Sequence, residues 1–202
     1  TKMKFAFDTD EVLRDTLSKM KATYEKFFIE DYVSEECEEE FEYKIIEPVN
    51  SHKFSEHFLF PSDGDFINFM YLDFPMIIFG HSPSISANTF NTFSEIQKNV
   101  LSKRDKLSVI GMGVAKIKPA SLFFYSKYGM EVDNIQFYNK KTINKIWSKF
   151  DVIVTANPDL LEIKPKNKIS IKVNSDYNQN CESDFSIDSI DFFWSATLKF
   201  IS

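Results

Sequence analysis

Two carboxylates placed two residues apart, Asp8 and Asp10, end the short apolar run Phe5-Ala6-Phe7. In extended backbone, side chains two apart lie on one face. At the carboxyl end of a buried strand they point into the crevice where open α/β sheets hold their ligands. Two acids there can bind a hard cation such as Mg²⁺, and one can accept a phosphoryl group as a nucleophile. The same residues also suit a helix entrance, with Thr9 or Asp10 as the capping side chain and acids near the helix's positive end.

Other chemistry-bearing residues are more diffuse. Gly111-Met112-Gly113 follows the apolar stretch Leu107-Ser108-Val109-Ile110. Its backbone N–H groups could wrap a phosphate, but a tight strand-to-helix turn explains two glycines more simply. Lys116, Lys118, Lys140 and Lys141 are candidate charge neutralisers in a lysine-rich chain. His52, His57 and His81 lack the helical spacing or nearby cysteine of a zinc site and read as locally bonded side chains.

The elements that must position these groups follow from periodicity. Phe5 to Asp8 is the first strand, and Val12, Leu13, Leu17, Met20, Tyr24, Phe27 and Phe28 then recur at helical spacing. A polar, aromatic stretch broken by Pro48, Pro61, Pro75 and Pro83 comes next and reads as a mostly helical insertion. From residue 104 an α/β rhythm resumes, with strands expected at 107–110, 132–137, 152–154 and 168–173 and helices at 119–127 and 141–150. Strands separated by helices of this length imply a parallel sheet with right-handed crossovers. Ile187, Ile190, Trp194 and Leu198 place one face on a final helix within 186–200.

Composition narrows the function classes. The 202 residues suit one domain with an insertion. A net charge of −6 argues against direct nucleic-acid binding, which needs a positive field. The acidic run Glu35-Glu36-Cys37-Glu38-Glu39-Glu40 reads as a solvated surface. Cys37 and Cys181, without CxxC spacing, suggest reduced thiols. No apolar run approaches the ~18 residues of a membrane span, and Thr1-Lys2-Met3-Lys4 entering a strand at once predicts no signal peptide. These features predict a soluble protein in a reduced compartment, not secreted through a signal peptide.

Asp8, Asp10 and Val12 after an N-terminal strand resemble motif I of the haloacid dehalogenase (HAD) superfamily, closest in flavour to its 5′(3′)-deoxyribonucleotidase-like branch. The resemblance covers about 1–30 and 104–178. It implies a HAD-like Rossmannoid α/β core in those segments, a cap over 31–103 inserted after the first strand–helix unit, and a C-terminal extension over 179–202. It also implies Asp8 as nucleophile, Asp10 as general acid/base, and Mg²⁺ as cofactor if the protein is active. Asp151-Val152-Ile153-Val154-Thr155-Ala156-Asn157-Pro158 looks like the motif IV strand, yet Thr155 and Ala156 stand where the family has an acidic pair. Asn157 would be the remaining oxygen ligand. The motif II Ser or Thr is also missing at Gly111 or Met112, leaving Gly111 and Lys141 as the candidate phosphate contacts.

Two readings follow. In the first, the chain is a non-catalytic HAD-like assembly protein with no cofactor, acting through protein partners as a homo-oligomer or ring. Tyr71-Leu72-Asp73-Phe74-Pro75 to Ile78-Phe79-Gly80-His81, with the 152–166 stretch, is similar to HAD-like virion proteins of crAss-like tailed bacteriophages, and would place it in the head–tail or tail region. The 22 phenylalanines suggest a contact surface, with Phe74, Met76, Phe79, Phe193 and Trp194 as candidate interface residues. In the second reading, the chain is a Mg²⁺-dependent nucleotidase-like phosphohydrolase using Asp8 and Asp10.

Overall fold

The computed structural model describes residues 2–30, 41–130 and 135–201. The acidic run, Cys37, Asp133 and Asn134 lie outside these residues. Six parallel strands form one sheet in the order β3-β2-β1-β4-β5-β6. They are β1 (Lys4–Phe7), β2 (Lys106–Met112), β3 (Ile135–Tyr138), β4 (Val152–Thr155), β5 (Ile169–Val173) and β6 (Phe185–Ile187). As the periodicity implied, β1 is central, paired with β2 on one side and β4 on the other.

Strict alternation gives each strand two buried faces. Phe5, Phe7, Val152 and Val154 enter one apolar core, while Ala6 and Ile153 enter another behind the sheet. The first core is completed by α3 (Thr89–Ser102), α4 (Lys118–Ser126) and α7 (Phe193–Ile201), through Phe93, Phe124 and Phe193. Phe7 meets the Phe93 ring edge-on at 5.3 Å. Behind the sheet, α5 (Ile146–Lys149) contributes Trp147 and α6 (Pro158–Glu162) contributes Leu160. The Trp147 indole N–H donates to the Leu160 carbonyl at 2.8 Å, satisfying its one polar atom in the core.

A third cluster joins α1 (Thr16–Tyr24) to the inserted segments, which include α2 (Asp63–Asn68) and wide helical turns at Phe69–Asp73 and Met76–Gly80. Tyr24 is its hub, meeting Phe58, Phe60 and Phe69 edge-to-face and Phe28 at a tilt. The Tyr24 hydroxyl accepts from the Lys44 N–H and donates to the Leu59 carbonyl.

Several expectations are corrected. The first helix starts at Thr16, capped by Asp15, and neither Thr9 nor Asp10 caps it. Val12 and Leu13 are buried from a tight loop, because the Thr9 carbonyl collects the N–H groups of Val12, Leu13 and Arg14. Helix α3 falls within the segment read as cap, yet Phe93, Ile96 and Val100 pack on the sheet. The tail is not an appendage: Phe185–Ile187 pairs with β5, and Ile187, Ile190 and Phe193 enter the main core. The phenylalanine surplus fills cores. Phe79 and Phe193 are buried at 4% and 0% exposure, which removes them as interface residues. Phe74 and Trp194 are half-buried, and Met76 is exposed. Among the described residues, no helix is long and apolar enough to cross a membrane.

Candidate functional site

The chain leaves β1 at the point where strand order reverses, so residue 8 opens onto the crevice between β1 and β4. Asp8 is nonetheless sealed, with 2% of its surface exposed. Its Oδ1 accepts from the Thr9 N–H at 2.9 Å. Its Oδ2 accepts from the Tyr138 hydroxyl at 2.8 Å and the Thr155 hydroxyl at 2.7 Å. Asn157 closes the circuit. Its side-chain N–H donates to the Tyr138 oxygen at 3.1 Å, and its backbone N–H donates to the Thr155 oxygen at 2.9 Å. The Asn157 carbonyl oxygen caps α6 through the Asp159 N–H. Each of the four side chains in this ring is hydrogen-bonded to another member, as a stabilising buried polar network requires. Burial is the main force on the Asp8 carboxyl and pushes it up to about 6, against the lowering effect of the Thr155 and Tyr138 hydroxyls.

Asp10 has a different partner. Its Oδ1 accepts from Arg14 Nη2 at 2.7 Å and from the Thr16 hydroxyl at 2.6 Å. The Arg14 guanidinium, 1% exposed, also donates to the Phe79 carbonyl and the Ser121 hydroxyl. It lies over the Phe79 and Phe124 rings at 5.2 and 5.5 Å. Asp10 is thus one end of a pin joining the β1 loop to the inserted segment and to α4. Immediately after Asp10, Glu11 takes the left-handed backbone conformation, φ 61°, uncommon for a residue with a Cβ. Its Oε1 accepts from the Leu17 N–H at 2.7 Å, and burial pushes its carboxyl up to about 8.

The phosphate candidates do not converge on Asp8. A Cβ on Gly111 would stand 2.9 Å from the Thr9 hydroxyl oxygen, so the glycine makes room for Thr9. The Thr9 hydroxyl donates to the Ile110 carbonyl and meets Tyr125. The Gly113 N–H is spent on the Tyr138 carbonyl. Lys141 is exposed, its N–H held by Asn139. His57 bonds the Ile46 carbonyl and Ser51, as a locally satisfied side chain does.

The residues do not fit a Mg²⁺ ion. Asp8 Oδ2 already accepts from the Tyr138 and Thr155 hydroxyls, and the Asn157 side-chain carbonyl is a helix cap. Among the described residues, no group of three or more His, Cys, Asp or Glu is placed to hold a metal. Tyr138, which no motif singled out, donates its hydroxyl to Asp8 and accepts from Asn157. Its position at the carboxyl end of β3, the next strand but one, was the available signal.

A cleft of about 450 Å³ opens beside this network, between the sheet's carboxyl edge and the inserted segments. Asp10, Glu11 and Asp159 lie on its polar side and Met20, Met70 and Phe79 on its apolar side, while Asp8 is not among its lining residues.

No protein-family model matches the chain, and no curated protein matches it in sequence. Solved structures similar to it include a haloacid dehalogenase-like hydrolase from Burkholderia xenovorans. That match has 11% identity and a TM-score of 0.58 and covers 100% of this chain and 99% of the other. A dehalogenase with an intermediate complex matches at 10% identity and TM-score 0.56, covering 96% of each chain. A further dehalogenase structure matches at 8% identity and TM-score 0.53, again over 96% of each chain. The chain has the haloacid dehalogenase-like α/β fold.

Proposed function

We propose that this chain is a HAD-fold protein that does not hydrolyse phosphate esters and acts through contacts with protein partners. The observation that carries the first half is the closed ring Asp8–Tyr138–Asn157–Thr155. A nucleophile must reach its electrophile with a free lone pair in a near-attack geometry of about 3–3.5 Å. Asp8 is sealed from such an approach, and its Oδ2 is already engaged by the Tyr138 and Thr155 hydroxyls. The contact half is supported by apolar side chains left exposed on the inserted segments: Ile67 at 54%, Leu72 at 58% and Met76 at 43%. A second copy of the chain is the proposed partner. A specific interface needs about 1,000 Å² in total. The nucleotidase-like branch and the virion setting rest on the sequence resemblance alone.

Purified protein incubated with an aryl phosphate and Mg²⁺ is expected to show no turnover above a mock preparation, and the same with a short 2-haloacid without metal. Robust turnover of the aryl phosphate abolished by Asp8→Asn would overturn the reading and favour the phosphohydrolase. For contacts, light scattering should report a species larger than one chain, shifted toward monomer by Met76→Asp or Leu72→Asp. A wild type that stays monomeric at high concentration would remove the second copy as partner.

A further inference from the structure

We propose that the cleft beside the Asp8 network binds an amphipathic organic cation, its ammonium group against Glu11 and its apolar body beneath the inserted segments. At about 450 Å³ the cavity is the size of a small-molecule site, with the usual division into an apolar wall and a few polar groups. The three carboxylates that line it are not equivalent. Asp10 is matched by Arg14 at 2.7 Å, and Asp159 faces His52 at 3.9 Å. Glu11 has no ion-pair partner among the described residues and spends Oε1 on a backbone N–H. Among the side chains of the cleft, it is the carboxylate that an entering cation would match.

Aromatic rings border that position. Tyr177 and Tyr71 both line the cleft. After burial, the field of Glu11 is the largest influence raising the Tyr177 hydroxyl, and that of Asp10 also raises Tyr71. Carboxylates beside aromatic faces suit an ammonium ion, which gains from both. An anion entering the same place would meet the Asp10 carboxylate as a like charge and would oppose ionisation of Glu11, whereas a cation would favour it. The cations at the edge do not reverse this. Lys53 is 78% exposed and paired with Glu56, and Lys140 is exposed to solvent.

The inference concerns the cleft and not Asp8, so it and the non-hydrolytic reading fail separately. Calorimetric titration of the full chain with benzyltrimethylammonium, benzyl alcohol and benzenesulfonate tests it on the wild type. The cation is expected to bind about tenfold tighter than either other probe. Glu11→Gln retains an acceptor for the Leu17 N–H and should cost about tenfold in cation affinity, while Lys140→Gln should leave it equal or tighter. The other charged groups facing the site are Asp10, Arg14 and Asp15 from the loop of Glu11 and Asp159, His52 and Lys140 across the cleft. Preference for the sulfonate, equal binding of benzyl alcohol, no binding of any probe, or Glu11→Gln binding the cation as well as wild type would each overturn the proposal.

Discussion

Asp8 sits where a sheet of this topology would expose a reactive carboxylate, and its neighbours convert it into structure. Tyr138 and Thr155 each direct a hydroxyl at Oδ2, and Asn157 bonds both of their oxygens. Tyr138→Phe would therefore strip one donor from Asp8 and leave the Asn157 amide unpaired in a buried site. Chemical denaturation should register a loss of about 1–3 kcal/mol. The pH dependence follows from the same burial. A carboxyl raised to about 6 in the folded state, from 3.8, binds its proton more tightly folded than unfolded. Its contribution is then fully present below about pH 4 and is lost as pH rises through about 6. Asp8→Asn should flatten the stability profile across that window. An unchanged slope in the variant would mean that Asp8 does not titrate there.

Arg14 does for the elements what Asp8 does for the residues around it. It ties the β1 loop to Phe79 in the inserted segment and to Ser121 in α4, with Asp10 as counter-ion. Arg14→Met should cost about 3 kcal/mol by leaving those partners without their donor, and thermal unfolding would report it. Gly111→Ala should destabilise by about 1–3 kcal/mol through its contact with Thr9, with no effect on phosphate affinity. The β1–β2–β4 arrangement was legible because Phe5-Ala6-Phe7 and Val152-Ile153-Val154 are uninterrupted apolar runs, as buried parallel strands must be. Strand β6 was not, since Phe185-Ser186-Ile187 is too short to show a period and sits at the sheet edge. The start of α1 was misread because Val12 and Leu13 keep helical spacing while the Thr9 carbonyl folds them into a loop. At the site, the missing acids at Thr155 and Ala156 were readable, but the roles of Tyr138 and Glu11 depend on long-range approach and backbone conformation that spacing does not encode.

For the molecule as a whole, buried acids set an unusual acid–base balance. Asp8 and Glu11 are both raised, so each removes stability as pH climbs, Asp8 through about 6 and Glu11 through about 8. Asp151, Asp159 and Asp184 are held below their ordinary range by Lys168, His52 and Lys164 and by backbone N–H groups, so they contribute above the unfolded value of 3.8 and lose that contribution on acidification. The fold should accordingly be most stable in mildly acidic solution, and a thermal-shift series that instead rose steadily to pH 8 would contradict this. The exposed Ile67, Leu72 and Met76 lie on the inserted segments and carry no titratable group of their own. Association through them should therefore depend weakly on pH. The proposed non-hydrolytic reading requires the Asp8 carboxylate to stay sealed in its hydroxyl network and to bind no metal. A carbon-13 NMR titration of the Asp8 carboxyl, with and without millimolar Mg²⁺, tests it most directly. A midpoint near 6 that Mg²⁺ leaves in place is the predicted result. A midpoint pulled down by Mg²⁺ would show a cation on Asp8 and contradict the account.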